Sequence, residues 1–399
     1  MPNAPKYEQS ISVRFDYPVV FTRDLFNPSN RALVNAANRL AEPRKHRAVV
    51  FIDSGFAARH KTMVGSIKKY FAAHAASLEL ATAPEIVPGG EAIKADVGFA
   101  RRLVRQFAGL RLNRHAYVIP VGGGAVLDAV GFAASLFHRG LRLIRVPTTV
   151  LAQNDVGVGV KNAMNFGGKN AIGTFSPPFA VLNDFDLLRT LSDRDWIAGI
   201  SEAFKVAIIR DATFFRFLCR NAAKLRARDE RSMEHLIRRC AELHLDHIRT
   251  SGDPFEFGKA RPLDFGHWAA HKLEAMSRYN IGHGHAVAIG IALDSCYARH
   301  RGWLTAAETK AICLGLAESG FRLWHPLLER RGRNGRLEIL GGLKEFQEHL
   351  GGELVITYPK GIGRRFEVQE VDGELVERCL RELKRLSAAQ DTGSAQRAS

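Results

Sequence analysis

The chain has 399 residues, long enough for two hydrophobic cores, and its 46% hydrophobic and 25% charged residues are those of an ordinary soluble globular protein. No apolar run reaches the roughly 18–20 residues of a membrane span, and the polar start MPNAPKYEQSISVRFDYPVVF lacks a signal-peptide core, so a cytoplasmic protein that engages no membrane is expected. The formal charge of +16 fits an anionic small substrate or nucleic acid, and equally a set of arginine-rich solvated helix faces. The basic runs RRLVRQ, RARDERS and ERRGRNGR are dispersed and carry no interleaved aromatics, which argues against nucleic acid. Cys219, Cys240, Cys296, Cys313 and Cys379 form no C-x-x-C pair, which argues against a disulfide framework and a cysteine zinc site.

The first half alternates between strand and helix signals. RAVVFID (47–53) is a β-rich run ending in Asp53, and HKTMVGSIKKYFAAHAASL (60–78) has helical character. ATAPEIVPGG (81–90) is extended, and EAIKADVGFARRLVRQFAGL (91–110) spaces its apolar residues as a helix does. HAYVIPVGGG is a buried strand running into glycines. AVLDAVGFAASLFHRG is a helix closed by Gly140, and LRLIRVPTT is a further strand. This alternation predicts a parallel sheet covered by helices. After about 185 the pattern turns helical in 193–227, 231–251, 263–300 and 305–320. The expected organisation is an α/β domain over 1–185, a mostly α-helical domain over 186–386 and a disordered tail over 387–399.

Three glycines, Gly122, Gly123 and Gly124, join a strand to a helix, where backbone N–H groups can hold a pyrophosphate. The last glycine of G-x-G-x-x-G is missing, so the turn alone is also compatible with a purely structural role. Asp53 at a strand end, Glu91 and Lys94 at a helix start, and Thr148 and Thr149 after Pro147 add polar groups that together point to a dinucleotide. In the second half, LDFGHWAAHKLEAMSRYNIGHGHAV holds His267 and His271 four residues apart, then His283 and His285. His267 and His271 share a helix face and suit metal binding, proton transfer or neither. Glu202 is the best carboxylate partner: it lies in the apolar helix GISEAFKVA, with Lys205 one turn on, and the alternative is a plain i,i+3 ion pair.

GGGAVLDAVGF, RGLRLIRVPTTVLAQND, GKNAIGTFSPP, SEAFK, and FGHWAAHKLE followed by GHGHAVAIG occur in this order, and in them the chain resembles the dehydroquinate synthase family, the sugar phosphate cyclases. The resemblance runs from about Val49 to about His300. It implies a Rossmann-like N-terminal domain on a helical domain, NAD and zinc (or cobalt) between them, and a homodimer. Carried over by position, Glu202, His267 and His283 are the metal ligands. Asp53, Glu91, Lys94, Gly123, Gly124, Asp128, Thr148 and Thr149 contact NAD. Lys205, His271, Lys161 and Asp155 are the catalytic residues, while Lys169, Asn170 and Asp264 line the substrate pocket. Arg139 matches an arginine that binds the substrate phosphate across the dimer interface. The implied reaction is transient alcohol oxidation, β-elimination of phosphate, re-reduction and intramolecular aldol closure to a carbocycle.

The chain departs from the dehydroquinate synthase pattern where that pattern reads R-x-x-L-N-x-G-H: Ala260 replaces the arginine and Asp264 the asparagine. His285 stands in a GHGHAV that is elsewhere HGEAV, and DVGVGVKN replaces DSSVGGKT. EFQEHLGGELVITYPKGIG stands where the family carries paired lysines. An aspartate repels a substrate carboxylate, and losing the arginine removes a bidentate partner. Both changes favour sedoheptulose 7-phosphate over the seven-carbon keto acid phosphate of 3-dehydroquinate synthase. The competing expectations are a metal-dependent glycerol or alcohol dehydrogenase, and a basic binding protein without catalysis.

Overall fold

The computed structural model describes residues 6–166, 168–258, 261–349 and 352–397. Among the described residues nine strands fall in the first half: β1 (Val19–Thr22), β2 (His46–Asp53), β3 (Leu78–Leu80), β4 (Glu85–Val87), β5 (Tyr117–Gly122), β6 (Arg142–Pro147), β7 (Lys161–Met164), β8 (Ile172–Phe175) and β9 (Ala180–Asp184). Seven of them build one sheet in the order β1-β9-β6-β5-β2-β3, with β4 continuing the edge beside β2. All its pairings are parallel. Strand periodicity sorts the side chains between two faces. Val50, Ile52, Tyr117, Ile119 and Val121 join one core, packed with Ile67 and Phe71 of the helix Met63–Ala73. Val49, Phe51 and Val118 join the other, under the helices Val97–Gly109 and Gly124–Leu136.

β7 and β8 form a separate antiparallel hairpin beyond the sheet. It bears Lys161 at one end and the Lys169–Asn170 turn at its tip. The expected helix through Gly140 stops at Leu136. His138 and Arg139 take left-handed backbone (φ 52° and 63°) before Gly140 at φ 120°, so the chain turns back two residues earlier than the glycine alone implied.

From Asp193 onward helices dominate, and among the described residues the short hairpin of β10 (Ile356–Pro359) and β11 (Arg365–Val368) supplies the only strands. The apolar 193–227 stretch divides into Asp193–Ala198, Ile200–Arg210 and Ala212–Arg226. The last break is made by Asp211, whose side chain caps the third helix through the N–H groups of Thr213 and Phe214. The helices His267–Met276 and His283–His300 cross at two glycines: a Cβ on Gly290 would lie 2.0 Å from the Gly266 carbonyl oxygen. Asp294, wholly buried, pins the same crossing by accepting from the Gly266 N–H (3.1 Å) and the Trp268 indole (2.9 Å). The final helix, Gly373–Arg397, extends through most of the stretch 387–399 expected to be a disordered tail. Among the described residues no helix is long and apolar enough to cross a membrane.

Candidate active site

Glu202 anchors the site. Its helix, Ile200–Arg210, is almost entirely buried, and Glu202 itself is 0% exposed. Lys205 Nζ lies 2.5 Å from Oε2, while Nε2 of His283 and Nε2 of His267 lie 3.3 and 3.7 Å from Oε1. Neither carboxylate oxygen completes a hydrogen bond of good geometry. A wholly buried carboxylate left so, facing two imidazole nitrogens, is the N, N, O donor set that suits zinc. The three residues offer ligand atoms within 4.8 Å of one another. The helix pair explains why: His267 and His283 each open a helix, and the glycine crossing behind them brings the two N-terminal ends together.

The surrounding charges follow from burial and pairing. Burial opposes the charge of Glu202, but Lys205 and the two imidazoles prevail and hold its carboxyl well below the usual range. Lys205 is likewise disfavoured by burial, yet Glu202 and Asp155 raise it above its ordinary value, with Asp264 adding to the effect. Burial lowers His271 well below the usual histidine range, with help from Lys169, His267 and His283; it is therefore neutral at pH 7. Its ring lies 5.3 Å from that of His267 and 5.9 Å from that of His283. Asp155, in the π-helical turn Ala152–Val156, pairs with His244 Nδ1 at 2.8 Å and faces Lys205 and Glu202.

Across the cleft, β5 ends in the glycine turn. Gly123 precedes the helix Gly124–Leu136, and no side chain caps this helix start. Its N-terminal N–H groups are thus open to an anion. Two of the turn's glycines have no room for a side chain: a Cβ on Gly122 would meet Val126 at 2.9 Å, and one on Gly124 would meet Val156 at 2.8 Å. Asp53 closes β2; its Oδ1 caps the helix Ser54–Arg59 through Gly55 N–H (2.8 Å) and Phe56 N–H (3.1 Å), leaving Oδ2 for a ligand. Thr148 and Thr149 follow β6, and Thr149 accepts from the Ala152 N–H at 3.1 Å. Glu91 accepts from Asn165 at 2.7 Å. Lys94 and Asp128 are both buried and paired with one another at 2.6 Å, with Asn170 Oδ1 2.5 Å from Lys94 Nζ.

Two expected residues stand differently. Arg139 is exposed at the far end of the helix Gly124–Leu136, about 20 Å from the glycine turn by helix rise, so a single chain does not bring it to the cleft. Ala260 lies outside the described residues. His285, left without a role, turns away from the cluster: its Nε2 lies 3.3 Å from the Arg194 carbonyl oxygen, and its ring packs on Phe321.

Four residues of the site were missed. His244 and Glu256, which pairs with Lys161, come from elements far away in sequence and carry no local signal. Glu274 was detectable: it follows His267 by seven residues and His271 by three, on one helix face. Arg145 was read only as part of a strand. Its buried guanidinium donates to the carbonyl oxygens of Gly157 (3.1 Å), Gly159 (2.7 Å) and Lys161 (2.9 Å) and to Asn162 Oδ1 (2.8 Å), thereby shaping the loop between Asp155 and Lys161.

Known proteins are similar to this chain in sequence and in fold. Models of the 3-dehydroquinate synthase N-terminal and C-terminal parts match residues 85–198 and 199–333. A 3-dehydroquinate synthase of Alkaliphilus metalliredigens (strain QYMF) is 35% identical over 262 residues, 65% of this chain and 70% of that protein. The 2-epi-5-epi-valiolone synthase of Streptomyces hygroscopicus subsp. jinggangensis 5008, solved with NAD+ and Zn2+ bound, superposes with a TM-score of 0.84 at 28% identity, over 95% of this chain and 99% of that one. A 2-deoxy-scyllo-inosose synthase, complexed with carbaglucose-6-phosphate, NAD+ and Co2+, has the same fold, with a TM-score of 0.73 at 23% identity over 91% and 96% of the two chains. Sequence and fold agree over both halves of the cleft, and the chain belongs to the 3-dehydroquinate synthase family, the sugar phosphate cyclases.

Proposed function

We propose that this protein closes the ring of a seven-carbon sugar phosphate, with sedoheptulose 7-phosphate favoured over the keto acid phosphate of 3-dehydroquinate synthase. The reading rests on one observation above all: the buried Glu202–His267–His283 cluster beside Lys205, opposite an uncapped glycine turn. Glu202, His267 and His283 would hold a zinc or cobalt ion. Gly123, Gly124, Asp53, Glu91, Thr148 and Thr149 would hold NAD, with Lys94 and Asp128 supporting the turn from beneath. When bound, the metal acidifies a substrate hydroxyl and NAD+ takes up and returns its hydride, so that a phosphate β to the transient carbonyl can leave.

The chain supplies the rest. Lys205, fixed as a cation by Glu202 and Asp155, offers positive charge to a developing oxyanion. His271 is neutral and can hydrogen-bond a substrate hydroxyl without adding charge to the site. Lys161, half exposed at the cleft mouth, and Lys169 present ammonium groups to phosphate and hydroxyl oxygens. Asn170 orders the hairpin tip through Lys94. In a homodimer Arg139 would reach the phosphate from the second copy. Asp264, close enough to Lys205 and His267 to act on both, suits a substrate without a carboxylate at that end.

The experiment is phosphate release by the zinc-loaded protein with NAD+, each candidate sugar phosphate being offered in turn. Release with no net NADH is expected, fastest with sedoheptulose 7-phosphate. Reduction of NAD+ by a simple polyol without any phosphate release would overturn the reading in favour of an alcohol dehydrogenase.

A further inference from the structure

The carboxylate of Glu274 is 3% exposed and belongs to none of the three proposed ligands. Its Oε2 lies 3.1 Å from Nδ1 of His283, whose other nitrogen, Nε2, is the one 3.3 Å from Glu202. Both Glu274 oxygens accept from Lys169 Nζ at 2.6 Å. We infer that Glu274 is the positioning residue of the metal centre: it orients His283 and sets its tautomer. The inference rests on the metal site proposed above.

The chemistry is direct. Lys169 Nζ also lies 3.3 Å from Nδ1 of His283, but its shorter contacts are with the two Glu274 oxygens. An ionised carboxylate can only accept, so the His283 nitrogen facing it carries the hydrogen and the opposite nitrogen keeps its lone pair for the metal. The Lys169 ammonium, paired with both oxygens, balances the buried charge of Glu274. Lys169 therefore has a second part to play. By occupying both oxygens it keeps Glu274 from competing for the ion, although His271, Glu274 and His283 are also close enough together to hold one. Lys169 lies between β7 and β8, so the orientation of a ligand in the helical part is tied to a hairpin that borders the cleft from the other side.

The test uses full-length Glu274→Gln and Glu274→Ala. Zinc affinity is measured by competition with a chromophoric chelator, and the visible spectrum is recorded with Co2+ in place of zinc. Glu274→Ala is expected to weaken zinc binding by about 10–100-fold and to alter the cobalt spectrum. Glu274→Gln is expected to weaken it less, because the amide oxygen still accepts from Nδ1–H. Unfolding midpoints in excess chelator separate this from a structural defect: the inference requires the Gln variant to melt with the parent. Zinc affinity and cobalt spectra unchanged in the Gln variant and, where it folds, in the Ala variant would overturn it, as would a loss of affinity matched by a loss of metal-free stability. If the parent protein itself fails to bind zinc, the metal site falls and this inference with it, an outcome readily told apart from tight parental binding that both variants share.

Discussion

Replacing Arg145 by lysine tests whether the loop carrying Asp155 and Lys161 is held from beneath. Arg145 is 1% exposed, and its two terminal nitrogens serve four acceptors within 3.1 Å, three of them backbone carbonyls. A lysine ends in one nitrogen with three donors and cannot span the same fork. One or two buried acceptors then lose their partner, at about 1–3 kcal/mol each, so the expected loss is about 1–6 kcal/mol. Arg145→Met orphans all four and should be worse. Urea unfolding at constant slope measures the difference, and the midpoint falls while the slope holds. Catalysis should decline with it, because the strand end at Lys161 and the turn at Asp155 are no longer held in register. If both variants unfold within about 0.5 kcal/mol of the parent, the range of an ordinary surface change, the clamp does not contribute and the argument fails.

Glu202→Ala should remove the metal and leave buried Lys205 without its nearest partner, at a cost of about 3–5 kcal/mol. Metal analysis checks the first point; on the second, zinc at 100 times its dissociation constant should stabilise the parent by about 2.7 kcal/mol and the variant not at all. Gly131→Ala would place its Cβ 2.0 Å from Asn162 Oδ1, the oxygen that accepts from Arg145, and should destabilise by about 1–3 kcal/mol in thermal unfolding. Burial raises Asp294 from 3.8 to about 7 against its three hydrogen bonds. Because the folded value lies above the unfolded one, its contribution is full below about pH 4 and is lost as pH rises to about 7. The parent should therefore lose up to about 4 kcal/mol relative to Asp294→Asn across that interval, and a flat difference would refute the assignment. Asp264→Asn should shift substrate preference toward the keto acid phosphate in the phosphate-release assay.

The parallel sheet was legible because its strands are short, apolar and bounded by turn residues, and because Asp53, the three glycines and Pro147-Thr148-Thr149 all end strands on one edge. The candidate metal cluster was legible only in pieces. An i,i+4 histidine pair is a weak sign, and the partner that the structure gives His267 is His283, sixteen residues on, rather than His271. Nothing local announces that pairing. It depends on Gly266 at φ 79° and on Gly290, whose missing side chains let two helices approach closely enough for their first residues to meet. The long apolar stretch from 193 to 227 hid its breaks for a related reason: Gly199 and Asp211 interrupt the backbone without interrupting the hydrophobic pattern.

The charges of the cleft carry the reasoning one step further. Each lysine expected to meet substrate already holds a carboxylate: Lys205 holds Glu202, Lys169 holds Glu274, and Lys161 holds Glu256. They differ in how easily they can let go. Lys205 and Glu202 are exposed by 3% and 0%, so parting them strands a buried charge, and that pair must survive the whole reaction. Lys169 is 17% exposed and bound to both oxygens of Glu274, which suits it to holding the site's shape. Lys161 is 51% exposed, and its partner Glu256, 16% exposed, has Arg261 Nε as a second cation at 3.9 Å. An incoming phosphate can therefore take Lys161 at less cost than either other lysine, because Lys161 stays in water and Glu256 keeps Arg261 nearby. Of the three, Lys161 is the one free to exchange its partner, and Lys161→Ala should raise KM for a sugar phosphate well before it disturbs metal content or stability.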